Sequence, residues 1–144
     1  MSVINFYKYK LLSFLISNKG GIFMILKRNI ALSIILSIVT CGIYGLYWLA
    51  VMAEDLNKAS AEQDTSGGLV VVLTIITCGI YGWYWLYKAG QKIEVAQGNR
   101  NFPYVNNQGI AYIILGIFGF SIVAYALIQN ELNKIAEFDN QKHL

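Results

Sequence analysis

Few side chains in this sequence are capable of chemistry, and the two cysteines are those whose spacing stands out. Cys41 and Cys78 lie 37 residues apart in nearly identical surroundings, TCGIYGLYW (40–48) and TCGIYGWYW (77–85). Two thiols at equivalent positions could form a disulfide or bind a soft metal, although a pair alone is a weak metal signal. A thiol surrounded by hydrocarbon stays protonated and unreactive. We therefore predict that both cysteines are small packing residues.

The repeated motif also places aromatic side chains on one helical face, because its rings follow the spacing i, i+3, i+4 in both copies. Such a face could stack on a ligand. Rings with a polar tip are also typical of the boundary between lipid and water, and a lysine just beyond them can extend toward the headgroups. We predict this second role for seven residues: Tyr44, Tyr47, Trp48, Tyr81, Tyr84, Trp85 and Lys88.

No other cluster has the composition of an active site. Charged residues make up only 13% of the 144 residues, and the single histidine, His143, is one residue from the end. Ionisable groups inside a membrane usually mark chemistry or proton paths, and the long apolar stretches contain none. The sequence therefore predicts a protein that is not an enzyme, with no catalytic residue, cofactor, metal site or nucleic-acid partner.

The elements that must position these residues are three charge-free stretches, at 29–53, 68–87 and 109–129. As helices they would be about 30 to 38 Å long, which matches the ~30 Å hydrocarbon core of a bilayer. Hydrophobic residues make up 56% of the chain. The sequence thus predicts an all-α membrane protein with three transmembrane helices in a domain over residues 24–144, and a buried globular bundle is the second interpretation.

The three stretches look like copies of one unit with a period of about 37 residues. Gly42 and Gly79 are 37 apart, and Gly116 stands 37 further on, in a weaker copy that reads GIFGF. A unit that crosses the membrane once presents consecutive copies in opposite directions, so we predict antiparallel neighbours and an inverted pair of units one and two.

Small residues recur every four positions in the first two stretches and predict the faces on which these helices meet. Close approach of small residues drives helix association in lipid. The predicted helix-packing set is Ser33, Ser37, Cys41, Gly42, Gly45, Thr74, Cys78, Gly79, Gly82, Gly116 and Gly119. The Thr-Cys-Gly segment could alternatively break the helix and expose backbone carbonyls, as in transporters with discontinuous helices.

Residues 1–23 are predicted to be an extension from a mis-assigned start, with translation beginning at Met24. The alternative is an amphipathic helix at the membrane surface. Basic residues flanking the stretches predict an N-terminus in the cytoplasm and a C-terminus outside the bacterial cell membrane. Lys27, Arg28, Lys88, Lys92 and Arg100 fall on the first side, and Lys58, Lys134 and Lys142 on the second.

The two nine-residue motifs, together with YKAGQKI and YIILGIFG…IQNELNKIA, resemble a family of small bacterial membrane proteins known only as a domain of unknown function (4234). The resemblance runs from Lys27 to about Ala136. It implies a bacterial membrane protein with several spans, and it supplies no catalytic or binding residue.

These observations predict a non-enzymatic accessory or regulatory membrane subunit that acts by helix association. Its expected partners are the lipid bilayer and either a second copy or another membrane protein. The sequence leaves two alternatives open. The protein could be a component of an oligomeric channel or transporter, or it could be an immunity protein against a bacteriocin or phage.

Overall fold

The computed structural model describes Asn5, Lys8, Ile25 and residues 27–62, 64–103 and 106–142. Within these residues it has six helices and no strand, which confirms the all-α class. The helices are α1 (Ile30–Val39), α2 (Ile43–Ser60), α3 (Gly67–Ile76), α4 (Ile80–Gly98), α5 (Gln108–Ile117) and α6 (Ser121–Lys142). The predicted start at Met24 and the terminal His143 lie outside the described residues.

Each predicted span is in fact a hairpin of two helices joined by a three-residue turn, at 40–42, 77–79 and 118–120. In the first hairpin a Cβ on Gly45 would lie 3.7 Å from the Ser37 Oγ, so residues on either side of the turn are neighbours. At the other end of the hairpin, Arg28 contacts Asp55. The expectation of one continuous rod per stretch was therefore wrong, because an absence of charge indicates an apolar environment but does not define the path of the chain.

The Thr-Cys-Gly sequence explains the reversal, and the alternative interpretation of the motif as a helix break is correct. Thr40 Oγ1 donates to the Leu36 carbonyl at 2.7 Å and accepts from the Tyr44 N–H at 2.9 Å, so it joins the two helices. Cys41 (φ +53°) and Gly42 (φ +91°) both adopt left-handed backbone. The Gly42 N–H donates to the Ser37 carbonyl at 2.8 Å. This bond and the left-handed residue before it form a Schellman-type helix end.

The third turn has the same bond with different residues. The Phe120 N–H donates to the Leu115 carbonyl at 2.8 Å, and the left-handed glycine is Gly119 (φ +84°). Gly119 takes the place of Cys78 and lies 41 residues after it, so the 37-residue period does not extend to the third turn. Gly116, which the spacing aligned with Gly42 and Gly79, lies inside α5.

The three long helices α2, α4 and α6 run in the same direction. Near their N-terminal ends, Tyr125 makes edge-on contacts with Trp48 and Trp85, at ring-centroid distances of 6.0 and 6.3 Å. Near their C-terminal ends, Arg100 joins the Ala59 carbonyl to the Asp139 carboxylate. The predicted inverted pair was wrong, because a hairpin returns to the side from which it starts and successive copies therefore keep one orientation.

Each short helix lies in a groove between two long ones. Helix α1 contacts α2 and α6, α3 contacts α2 and α4, and α5 contacts α4 and α6. Large side chains from the three long helices fill the centre with no measurable exposure, and they include Leu49, Met52, Leu56, Ile93, Ile128 and Leu132. The result is a core of three parallel helices surrounded by three shorter antiparallel ones.

The segment before α1 and the C-terminal part of α6 meet at one end of this bundle, where Lys27 forms an ion pair with Glu137. The predicted orientation, with the N-terminus in the cytoplasm and the C-terminus outside, stays a prediction. Over the described residues, every helix is either too short or too polar to cross a bilayer by itself.

Candidate functional site

The end of the bundle that carries the three turns exposes large apolar side chains. Val39, Ile43 and Phe118 have more than 70% of their surface exposed. We call the group of exposed apolar residues next to the turns the tip surface: Ile38, Val39, Ile43, Ile75, Ile76, Ile80, Ile117, Phe118 and Phe120. Scattered apolar residues are normal on a soluble surface, whereas a concentration of this kind marks contact with lipid or another protein.

The apolar surface continues along the outward faces of the three short helices. Its members on these faces are Leu32, Ile35, Leu69, Val72, Ile110 and Ile114, each about half exposed. The inward faces of α1 and α3 instead carry buried small or branched residues, Ser33, Ser37 and Val70. Helices α1 and α3 therefore expose apolar side chains on their outward faces.

Charged side chains are concentrated at the opposite end, which we call the base. Arg28 Nη1 lies 2.5 Å from Asp55 Oδ2, and this pair joins the segment before α1 to the C-terminal half of α2. At the corresponding place in the second hairpin, Lys92 Nζ lies 3.5 Å from Asp64 Oδ2. The two hairpins thus use the same ion pair with its charges exchanged.

Charged hydrogen bonds also connect the three hairpins to one another at the base. Arg100 binds Asp139 with two nitrogens, at 2.7 and 2.8 Å, and donates to the Ala59 and Ala96 carbonyls at 2.9 Å. Such bidentate arginine pairs fix geometry as well as contributing energy. Arg100 therefore connects the C-terminal parts of all three long helices.

A buried polar chain runs from the tryptophan layer toward the base. The Trp48 Nε1–H donates to Gln129 Oε1 at 2.9 Å, and the Gln129 amide donates to Asn133 Oδ1 at 3.1 Å. Asn133 in turn accepts from the Arg28 N–H at 2.9 Å and donates to its carbonyl at 2.8 Å. Gln129 is fully buried. This chain connects α2, α6 and the start of α1 by groups that are all satisfied.

Burial changes the titration of two charged groups at the base. Desolvation raises the pKa of the Asp55 carboxyl above its ordinary value, although the charge of Arg28 and its hydrogen bond act in the opposite direction. Desolvation lowers the pKa of the Lys92 ammonium, against the attraction of Asp64. Lys92 also donates to Asn57 Oδ1. Both groups are held in place by specific partners, as expected for structural ion pairs.

An open cleft of about 290 Å³ lies between the start of α1, the outer face of α2 and the start of α3. Its wall toward the tips is formed by Tyr47, Ala50 and Val51, and its wall toward the base includes Arg28 and Lys58. This is the place where the apolar part of the molecule meets the charged part. A pocket of the second hairpin, between the segment before α3 and α4, encloses only about 10 Å³.

The predicted membrane-interface residues differ in how far the fold buries them. Tyr47 and Tyr84 point outward with 60% and 50% of their surface exposed, while Tyr44, Tyr81 and Lys88 are half-buried. Trp48 and Trp85 are core residues, with 1% and 7% exposed, so their assignment to the interface was wrong. A helix turns about 100° per residue, and the tryptophans therefore face the bundle axis when the preceding tyrosines face outward.

The predicted packing residues are likewise of two kinds. Ser33, Ser37, Gly45, Thr74, Gly82 and Gly116 lie at helix contacts, whereas Cys41, Gly42, Cys78, Gly79 and Gly119 form the turns. A Cβ on Gly82 would lie 3.2 Å from the Thr74 Cγ2, within one hairpin. The small residues thus bring the two arms of a hairpin together. Both cysteines are free thiols at exposed turn positions.

Three glycines that the sequence analysis missed make the closest backbone contacts. A side chain on Gly90 would collide with the backbone of Gly109, and one on Gly67 with the Ala50 carbonyl. A Cβ on Gly109 would meet the Tyr87 carbonyl. These residues lie outside the repeated motif. The one sequence signal for them is a glycine at a position that faces the inside of the bundle.

Among the described residues, no group of three or more His, Cys, Asp or Glu side chains comes together as a metal site. The polar groups of the base are instead paired with one another, for example Gln97 with Glu131 at 2.7 Å. The geometry therefore offers two surfaces of interest, the apolar tips and the cleft at the boundary between tips and base.

The chain matches one protein family twice, over residues 28–95 and residues 66–137. The description of that family is "Domain of unknown function (DUF4234)". Each match covers two consecutive hairpins, and the second hairpin belongs to both. No curated protein and no solved structure matches the chain. The two overlapping matches support the internal repeat independently of the turn geometry.

Proposed function

The chain belongs to the family of the domain of unknown function DUF4234, and from this premise we propose a non-enzymatic membrane protein whose three hairpin tips enter one leaflet of a bilayer. In this proposal it is an accessory or regulatory subunit of the bacterial cell membrane that acts by association with another membrane protein or a second copy. The observation that carries the proposal is the separation of the exposed apolar tip surface from the charged base.

The dimensions of the hairpins favour insertion to about half the depth of a bilayer. Helices α1, α3 and α5 each have 10 residues, which corresponds to a length of about 15 Å. The hydrocarbon core is about 30 Å thick. Tips of this length would end near the midplane and leave the base in the headgroup region.

The hydrogen bonds of the turns also favour insertion, because backbone groups in hydrocarbon must be satisfied inside the protein. In the first turn the N–H groups of Thr40, Cys41, Gly42 and Ile43 all donate to carbonyls of the same hairpin, at 2.8 to 3.2 Å. The corresponding four N–H groups of the second turn do the same. These turns would therefore enter lipid without an exposed donor.

The pairing of the charged groups supports an accessory role rather than catalysis. Asp55, Glu131 and Asp139 each contact a specific basic or amide side chain and hold helices together. A channel component is the weaker candidate, because Leu49, Met52 and other large apolar side chains fill the space between the long helices.

Spin labels test the insertion directly, because Cys41 and Cys78 are already at the tips. Single-cysteine variants would be reconstituted in lipid vesicles, with a matched label at Lys134→Cys on the base. Labels at the tips should collide with dissolved oxygen more than with a water-soluble nickel complex, and the base label should show the reverse. Tip labels as accessible to nickel as the base label would contradict the proposal.

The number of crossings is tested by the sidedness of the base. Lys27→Cys and Lys134→Cys, made in a background without Cys41 and Cys78, should react with a membrane-impermeant thiol reagent from the same side of sealed vesicles. Reaction from opposite sides would show an odd number of crossings and exclude the hairpin arrangement.

The accessory role is tested by a photoreactive amino acid at Ile35, on the outward face of α1, in native membranes. A crosslink to a second polypeptide, identified by mass spectrometry, is expected there and not at the control position Lys134. Adducts to lipid alone at Ile35 and at the equivalent Val72 would contradict an accessory role while leaving the insertion intact.

A further inference from the structure

We propose that the 290 Å³ cleft beside α2 binds the phosphate group of a membrane phospholipid. This inference rests on the proposed insertion, because that insertion places the cleft at the level of the headgroups. The volume is at the lower end of the range of roughly 300–1,000 Å³ for small-molecule sites. It is sufficient for a headgroup and the adjoining glycerol, with the acyl chains outside.

The walls of the cleft match the two parts of such a ligand. Tyr47, Ala50 and Val51 form an apolar wall that continues toward the tips, where acyl chains would run. Arg28 and Lys58 lie on the side of the base, together with the carboxylates Glu54 and Asp55. Gly68 leaves the third side open, since a Cβ at this position would have no neighbour within 4 Å.

The charges in the cleft differ in how far they are already paired. Arg28 is bound to Asp55 at 2.5 Å, and Glu54 Oε1 accepts from the Gly67 N–H at 2.7 Å. Lys58 Nζ lies 3.9 Å from Asp55 Oδ1, too far for a hydrogen bond, and within the described residues it donates none. The Lys58 ammonium is therefore the group with donors for a phosphate, and Arg28 adds a second positive charge nearby.

The second hairpin shows that an open cleft is not a general consequence of the fold. The pocket beside α4 is much smaller; it is lined by Lys88, at the position equivalent to Val51, and by Tyr81, whose hydroxyl donates to Thr65 Oγ1 at 3.2 Å. Repetition of the hairpin has thus left one groove accessible.

Binding is tested by native mass spectrometry of the full chain in a detergent that contains no phosphate. Titration with dioctanoyl phosphatidylglycerol should give one tightly bound lipid per chain. Lys58→Gln should weaken this binding by roughly tenfold or more, because it removes a charge-assisted contact. Lys134→Gln, an exposed lysine on α6 paired with Glu131, is the matched control and should bind as the unmodified chain does.

A second variant tests the space without changing a charge. Gly68→Leu would fill the cleft and should also abolish the single tight lipid, whereas Gly98→Leu, at another glycine with open surroundings, should not. Equal lipid binding by Lys58→Gln and the control would overturn the proposal, and so would unchanged binding by Gly68→Leu.

Two further ligands test whether the cleft recognises the whole phospholipid, its glycerol part alone or phosphate alone. Dioctanoylglycerol, which lacks the phosphate, should bind at least tenfold more weakly, and inorganic phosphate should not displace the bound lipid at equal concentration. Equal binding of the glycerol lipid, or displacement by phosphate, would contradict a phospholipid site. A spin label at Cys41 should report the same depth in Lys58→Gln, so failure of lipid binding is distinguishable from failure of insertion.

Discussion

Arg28 donates to Asp55 at 2.5 Å, and this contact joins the segment before α1 to the C-terminal half of α2. Asp64 and Lys92 form the corresponding pair of the second hairpin, 36 and 37 residues further on, with the charges exchanged. An ion pair can be reversed in this way without changing the helices that it connects. The repeat has therefore kept the position of the interaction and not the identity of its residues.

The Arg28–Asp55 pair predicts an unequal effect of its two truncations. Asp55 is buried, with 4% of its side chain exposed, whereas Arg28 is 21% exposed and can turn toward water. Arg28→Ala should therefore lower the free energy of unfolding by about 3–5 kcal/mol, as expected when a buried charge loses its partner. Asp55→Ala should have the smaller effect, and Lys27→Ala, at an exposed pair, about 0–1 kcal/mol. Urea unfolding in detergent micelles measures all three, and equal losses for the first two would contradict this account.

The turn geometry predicts that Gly42 and Gly79 resist substitution although both have free space around them. Their φ angles are +91° and +96°, and a Cβ at either would have no neighbour within 4 Å. Gly42→Ala and Gly79→Ala should each destabilise the fold by about 1–2 kcal/mol, the backbone penalty for a left-handed residue. Gly98→Ala is the control, because Gly98 also has open surroundings but no positive φ. A loss at Gly98 as large as that at the turns would assign the effect to something other than backbone conformation.

Contact between α4 and α5 predicts a steric effect at Gly90. A Cβ there would overlap the backbone N and Cα of Gly109, which cannot move as a flexible side chain can. Gly90→Ala should cost about 1–3 kcal/mol by overpacking. In the same helix, Gly98→Ala should be close to neutral. Thermal unfolding followed by circular dichroism gives the comparison, and an unchanged midpoint for Gly90→Ala would show that the two helices do not approach so closely.

The buried polar chain predicts that Gln129 is needed for its hydrogen bonds and not only for its volume. Gln129→Leu would leave the Trp48 N–H without its acceptor in the core and remove one donor from Asn133. We expect a loss of about 1–3 kcal/mol, the penalty for an unsatisfied buried polar group. The neighbouring Asn130 is exposed, and Asn130→Leu should have little effect on stability. Equal midpoints of denaturation for the two variants would argue against the buried chain.

Lys92 predicts a dependence of stability on pH with a defined sign. Its pKa is lowered in the folded protein from the ordinary 10.5, so the unfolded chain binds the Lys92 proton more tightly. The free energy of unfolding should therefore rise with pH between the lowered pKa and about 10.5. Above pH 10.5 the contribution of Lys92 should be constant, because both states have lost the proton. Lys92→Met should reduce the rise, whereas Lys134→Met, at an exposed lysine on α6, should retain it. Unfolding free energies at a series of alkaline pH values test this, and an identical rise in both variants would exclude Lys92 as its source.

Much of the fold can be read from local features of the sequence. The charge-free stretches and their repetition predict apolar helical units, and the structure contains helices in each of them. The Thr-Cys-Gly segment holds the signal for a helix end, since Thr40 bonds to both helices and Gly42 adopts left-handed backbone. The third turn was harder to place, because Phe118 replaces the threonine and the turn stands 41 residues after the second instead of 37.

By itself, then, the sequence determined the helical class, the repeated unit and the separation of apolar from charged segments, because these depend on composition and on contacts between near neighbours. Only the tertiary structure decided that each stretch folds back on itself, that all copies run in one direction, and that Trp48 faces the core. A straight rod and a hairpin bury the same apolar residues, so composition cannot distinguish them. The difference arises from contacts such as Ser37 with Gly45 and Gly90 with Gly109, which exist only after the helices have packed.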